Sequence, residues 1–209
     1  MKGEIVSVNV TDGRLLWAVP LESPEPSSGG FGCAPASTAV AIYGSPAVAE
    51  DEGLVYIGGY NGKIYAFTPG RDEPRWVYPR ERSLDGTVVG GLVVAQGRVY
   101  FGSSDGKVYA LDANDGFKEW EFENGDKIWS TPVIDGDTLF IGSFDNKLYA
   151  LNTADGSKKW EYETEGAIVA TPVVHNNTVY IGSFDRYLYA IDATDGSLKW
   201  KFLAGNWFW

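Results

Sequence analysis

A chain of 209 residues, 44% of them hydrophobic, is long and apolar enough to bury a core as one globular domain, which argues against a disordered chain. Its 28 acidic residues outnumber the 17 basic ones and leave a net charge of −11, a field that repels nucleic acid and anionic membrane, with no basic stripe to offset it. The single cysteine, Cys33, rules out an internal disulfide and any cysteine-built metal site.

Met1-Lys2-Gly3-Glu4 does not read as a secretory signal, and no apolar run reaches the about 18 residues of a membrane helix, so direct membrane insertion is not expected. Gly3–Trp17 (GEIVSVNVTDGRLLW) is the first copy of a motif that returns without gaps at Gly62–Trp76, Gly106–Trp120, Asn146–Trp160 and Arg186–Trp200. The closing tryptophans lie 59, 44, 40 and 40 residues apart. The long first interval holds an insertion, Leu21–Ile42, rich in Pro, Ser and Gly; loops of that length in compact domains are functional or disordered. A second motif precedes the last four copies, at 44–61, 90–105, 130–145 and 170–185.

In the last unit, Ile168–Val174, Thr178–Gly182, Leu188–Asp192 and Leu198–Leu203 read as four strands, the final two joined across Asp195-Gly196, a dipeptide suited to hairpin turns. Helical periodicity is absent throughout. Four-stranded units of about 40 residues with a recurring aromatic and glycine predict an all-β fold, a β-propeller of antiparallel blades. The register gives a half blade at 3–20, an insertion loop at 21–42, blades at about 43–78, 87–123, 127–163 and 167–203, and the start of another at 205–209. A chain that opens halfway through a blade and stops at the start of the next reads as a piece of a larger ring. Its unpaired edges predict self-association or fraying at both ends.

The pattern Ala-x-Asp/Asn-x-x-Asp-Gly-x-x-x-Trp at Ala110–Trp120, Ala150–Trp160 and Ala190–Trp200 resembles the tryptophan-docking motif of the pyrroloquinoline-quinone-like, or quinoprotein-type, propellers. The first copy has Ser7 in place of Ala, and the second lacks Asp-Gly. The resemblance implies that Trp17, Trp76, Trp120, Trp160 and Trp200 pack between neighbouring blades, that a full ring has seven or eight blades, and that the parent protein is extracytoplasmic, periplasmic or on the cell surface. It also implies two classes of function. One is a non-enzymatic binding or scaffold module holding a protein partner or small ligand, with no cofactor. The other is a fragment of a quinone-dependent dehydrogenase, which would need a vicinal cysteine pair, an Asp base and a Ca²⁺ site of Glu and Asn. One cysteine cannot supply the pair.

Candidate binding residues cluster by register on the face that carries the second-to-third strand loops. Tyr43, Trp129 and Trp209 open innermost strands, while Tyr60, Phe144, Phe184, Asp145 and Asp185 lie in the loops. Aromatics beside carboxylates suit a sugar, a peptide or a cationic ligand. The plainer reading makes Ser-Phe-Asp a turn whose Asp caps backbone N–H groups. Trp129 stands apart, since its register equivalents are Val89 and Val169 and the fold does not demand a tryptophan there. No catalytic or metal-ligating set is expected. His175 falls in a first-to-second strand turn on the opposite face, Asp12, Asp115, Asp155 and Asp195 precede hairpin glycines, and nothing activates Cys33.

Overall fold

Runs such as Thr-Val-Tyr-Ile-Gly are β-branched or aromatic, too short for a helix, and bounded by turn-forming Asn and Gly, so they settle as strands. The computed structural model describes residues 3–21, 40–206 and 208, and every regular element among them is a strand. β1 (Gly3–Val8) and β2 (Leu15–Leu21) form a two-stranded half blade. Blade 1 comprises β3 (Ala47–Ala49), β4 (Leu54–Gly58), β5 (Ile64–Phe67) and β6 (Pro74–Tyr78). Blade 2 follows with β7 (Val93–Ala95), β8 (Arg98–Gly102), β9 (Lys107–Asp112) and β10 (Lys118–Glu123). Blade 3 has β11 (Val133–Asp135), β12 (Thr138–Gly142), β13 (Lys147–Asn152) and β14 (Lys158–Glu163), and blade 4 has β15 (Val173–His175), β16 (Thr178–Gly182), β17 (Tyr187–Asp192) and β18 (Leu198–Leu203). Each blade is an antiparallel meander with a register shift where its last strand departs from the hairpin, as between Ala150 and Leu151. The expected β-propeller architecture is observed. The insertion at 22–39, with Cys33, and the terminal Trp207 and Trp209 lie outside the described residues.

The innermost strands β3, β7, β11 and β15 neighbour one another around the propeller axis. Just ahead of them the backbones nearly touch. A Cβ on Gly44 would lie 2.2 Å from the Gly90 carbonyl oxygen, and one on Gly90 would lie 2.7 Å from that of Ser130. At the equivalent point of the next pair, the Ser130 hydroxyl donates to the Ala170 carbonyl at 2.8 Å.

The core is divided among the seams between blades rather than pooled at one centre. One cluster joins Tyr56 and Trp76 of blade 1 to Tyr109 and Leu111 of blade 2, a second joins Tyr100 and Trp120 to Tyr149 and Leu151, and a third joins Phe140 to Tyr189 and Ile191. Each seam is closed by the same device. The Trp76 indole N–H donates to the Ala113 carbonyl at 3.0 Å, Trp120 to Thr153 at 3.0 Å and Trp160 to Ala193 at 3.1 Å, always in the following blade. In the first two seams a tyrosine shares the acceptor, Tyr56 donating to Ala113 at 2.9 Å and Tyr100 to Thr153 at 3.2 Å. Beneath each indole ring sits the glycine of the next Asp-Gly hairpin, and a Cβ there would approach the ring to 2.6 Å at Gly116 and Gly156 and 2.7 Å at Gly196. These glycines therefore serve twice: they take the positive φ of the turn, near 72–76°, and they leave room for an aromatic plate.

The two end copies depart from this scheme. Trp17 is half-buried against the cluster of Ile5, Val19, Ile57 and Phe67, but position 72, where later blades carry glycine, is Asp. Trp200 meets Tyr180 of its own blade in a tilted contact, with ring centroids 5.9 Å apart, and is 45% exposed.

Candidate functional site

The second-to-third strand loops and the fourth-to-first connections emerge on one face of the propeller, while the Asp-Gly hairpins and His175 emerge on the other. On the first face Tyr43, Tyr60 and Trp129 are exposed, while Phe144, Phe184, Asp145 and Asp185 are half-buried.

Asp145 is engaged on both oxygens. Its Oδ1 accepts the Lys147 backbone N–H at 3.1 Å, and its Oδ2 accepts the Tyr149 hydroxyl at 2.6 Å and the Asn124 amide at 3.1 Å. Asp185 repeats this, accepting the Tyr187 N–H at 2.9 Å, the Tyr189 hydroxyl at 2.6 Å and the Glu165 N–H at 3.0 Å. Asp105 does the same with Lys107 and Tyr109. Burial, reinforced by hydrogen bonding to the neighbouring carboxylate, pushes the phenols of Tyr109, Tyr149 and Tyr189 far above the ordinary tyrosine range. The carboxylates thus act as internal latches between loop and third strand.

Two aromatic pairs occupy the same register in alternate blades. In blade 1, Tyr43 meets Tyr60 edge-on with centroids 5.3 Å apart, and the rings are 67% and 48% exposed. In blade 3, Trp129 meets Phe144 at 4.7 Å and 74°, with Trp129 40% exposed. Its indole N–H reaches into blade 2 and donates to the Ser104 hydroxyl at 2.9 Å, which in turn shares a hydrogen bond of 2.9 Å with Thr87. Blade 2 carries Val89 and Ser104 at these positions, and blade 4 carries Val169 and Phe184. Phe184, whose backbone N–H bonds the Ala167 carbonyl at 2.9 Å, occupies the loop position of Phe144.

Three features of this face escape a reading by residue type. Ser104 and Thr87 hold Trp129 in place, though neither stands out by its chemistry. Beside Asp145, Asn124 Oδ1 is the one buried side-chain polar atom among the described residues without a partner. A cleft of about 490 Å³ opens between the blade 1–2 connection and blade 2, lined by Pro79, Arg82, Leu84, Asp105, Lys107 and Tyr109. The longer 44-residue interval between Trp76 and Trp120 was its sequence signal. On the opposite face Asp115, Asp155 and Asp195 each accept the backbone N–H two residues on at 2.9–3.0 Å, as hairpin residues do. No cluster of three His, Cys, Asp or Glu among the described residues could hold a metal.

Comparison with known proteins gives consistent matches. The family model described as outer membrane protein assembly factor BamB matches residues 1–131 and 124–206. A search of curated proteins finds no match. Among solved structures, BamB from Moraxella catarrhalis superposes with a TM-score of 0.73 at 21% identity, over 95% of this chain and 55% of that one. Quinohemoprotein alcohol dehydrogenase from Comamonas testosteroni gives 0.68 at 18% identity, over 80% and 35%. The quinohemoprotein alcohol dehydrogenase ADHIIG from Pseudomonas putida HK5 gives 0.66 at 17% identity, over 78% and 34%. The chain thus spans about half the length of the BamB structure and a third of the dehydrogenases, and at these identities the likeness is one of fold.

Proposed function

The chain belongs to the outer membrane protein assembly factor BamB family, within the pyrroloquinoline-quinone-like propeller repeats, and from that premise we propose that it is a non-enzymatic scaffold module that binds a protein segment on the face bearing Tyr43, Tyr60, Trp129 and Phe144. The observation that supports this reading is the pair of exposed aromatic corners, in which Tyr43 and Trp129 stand where the sister blades carry Val89 and Val169. Exposed aromatic plates give large contact area at small entropic cost, a property of protein-binding surfaces. Phe184 extends the same row in blade 4, and the proposal includes Trp209 by register. Asp145 and Asp185 contribute by holding the loops. The reading puts the module outside the cytoplasm, in the assembly of outer-membrane proteins that the family's name describes.

The test is site-specific photo-crosslinking in the envelope of the native host. A crosslinking residue in place of Tyr60 or Phe144 is expected to capture one defined protein partner, and the same residue at His175, on the opposite face, to capture none. Capture confined to position 175 would overturn the assignment of the face. A parallel measurement addresses catalysis: pyrroloquinoline quinone with Ca²⁺ is expected to leave the melting temperature unchanged. A saturable rise at micromolar quinone would replace the scaffold reading with a quinoprotein one, because a ligand that binds only the folded state must stabilise it.

A further inference from the structure

The connection from blade 1 to blade 2 is longer than its counterparts. The interval from Trp76 to Trp120 is 44 residues, against 40 for each of the next two, and the register places the excess at 80–83. Backbone hydrogen bonds fix that register: the Leu84 N–H donates to the Gly62 carbonyl at 3.0 Å, as the Asn124 N–H does to Gly106 at 3.0 Å and the Thr164 N–H to Asn146 at 2.8 Å. The inserted strap is tied to blade 2 by Arg80, whose guanidinium lies 4.4 Å over the Phe117 ring and donates to the Asp115 carbonyl at 3.5 Å. Blades 3 and 4 carry Ser157 and Ser197 where blade 2 has Phe117, so strap and anchor occur together. Between them and the third strand of blade 2 lies the cleft of about 490 Å³.

The insertion changes the surroundings of one carboxylate. In the next two seams the latching Asp takes a second donor on Oδ2 from the connection before it: Asn124 Nδ2 on Asp145 at 3.1 Å, and the Glu165 N–H on Asp185 at 3.0 Å. Position 84 holds leucine where 124 holds asparagine, and among the described residues Asp105 Oδ2 accepts only the Tyr109 hydroxyl, at 2.8 Å. The missing donor belongs on the strap's side of Asp105, and Asp105 lines the cleft there.

The other charges around the cleft select the class of ligand. Lys107 Nζ is matched by Glu121 at 2.8 Å and Glu123 at 3.9 Å. Arg82 and Asp85 also line the cleft, are exposed, and make no ion pair among the described residues. A simple anion that met Arg82 would also face Asp85 and Asp105, and a simple cation that met Asp105 would face Arg82. A ligand carrying both charges meets each with its opposite.

We propose that this cleft binds a small zwitterion of the amino-acid class. Its ammonium donates to Asp105 Oδ2 beside Asp85, its carboxylate is held by the Arg82 guanidinium, and its apolar side chain lies against Pro79 and Leu84. The volume is in the range of small-molecule sites. The site is separate from the aromatic corners and stands whether or not those bind a protein segment.

The test is calorimetric titration of the intact chain with leucine and with leucyl-leucine, each also as its N-acetyl form, which lacks the ammonium, and as its amide, which lacks the carboxylate. At least one zwitterion is expected to bind saturably, and its two blocked forms about tenfold or more weakly, since each forfeits a charge-assisted hydrogen bond. The tighter of the two zwitterions tells whether free amino acids or dipeptides are the source. Arg82→Gln is expected to bring the zwitterion down to the affinity of its amide and to leave the amide itself unchanged, a split that misfolding does not produce. Leu84→Asn offers Asp105 the amide that Asn124 offers Asp145, and is expected to abolish binding in a protein whose melting curve shows it folded; should that variant not fold, Arg82→Gln decides. No binding of either zwitterion, equal binding of a blocked form, or undiminished affinity in Arg82→Gln or in a folded Leu84→Asn protein overturns the proposal.

Discussion

The seam between blades 2 and 3 and the outer face of blade 4 are built from the same residues, and among the described residues only the seam is closed. Trp120 and Trp200 occupy the same position on the same strand after the same Asp-Gly hairpin. Trp120 is 8% exposed, seated on Gly156 and bonded to Thr153, whereas Trp200 is 45% exposed and meets Tyr180 of its own blade. A blade therefore makes its own hydrogen-bonded sheet, but it completes its core only with its neighbour.

The widest separation is expected from truncating the two tryptophans. Trp120→Ala should cost about 3–5 kcal/mol in denaturant-unfolding measurements on dilute protein, as loss of a buried Trp does. Trp200→Ala should cost less than about 1 kcal/mol, as at an exposed site. Equal costs would break the comparison and place the stabilising role of the indole within its own blade. Glycine substitution sharpens it next. Gly13→Ala should pay only for its left-handed backbone, about 1–2 kcal/mol, while Gly156→Ala adds overpacking against Trp120 of about 1–3 kcal/mol.

The two regions should also part company with pH. Burial, with Glu52 nearby, pushes the Tyr56 phenol up to about 12. A phenol whose folded value is raised stabilises the fold below its ordinary value near 10 and loses that contribution as pH climbs toward 12. Tyrosinate absorbance is therefore expected to show a late fraction that appears together with loss of seam structure. Asp192, at the blade 4 hairpin, is held down to about 2, chiefly by its bond from Lys199, and its contribution fades as pH falls from about 4 through that value. Lys199→Met should remove that acid limb in a pH series of melting curves. The smallest effect is reserved for His175→Ala, within about 0.5 kcal/mol by thermal melting, since the side chain stands exposed at the end of β15, one residue before the turn at Asn176-Asn177 in which the sequence reading places it.

Strand order, blade count and the docking role of Trp76, Trp120 and Trp160 were legible because a 40-residue repeat prints the same local physics several times over. Trp17 was read with them, but its partner lies in a neighbouring repeat where glycine is replaced by Asp72; a motif read one copy at a time does not show what its counterpart lacks. The engagement of Asp145 and Asp185 was half legible. The turn was visible in Ser-Phe-Asp, while the phenol that takes the second oxygen lies four residues on, in Asp-x-x-x-Tyr, a spacing that places both groups on one side of the third strand. The pairing of Tyr43 with Tyr60 and Trp129 with Phe144 depends on how closely two loops of one blade approach, which no periodicity reports.

That Trp76, Trp120 and Trp160 each reach into the blade after their own has a consequence for how the molecule opens. Described as a row of sites with nearest-neighbour coupling, it has no long-range contact that makes all blades melt at once. Amide protons in blades 2 and 3, coupled on both sides, exchange only when two junctions fail, whereas one junction, at Trp160, holds blade 4 among the described residues. Protection should change in steps, blade by blade, so that the number of closed seams beside a blade, more than sequence within it, sets the lifetime of each sheet.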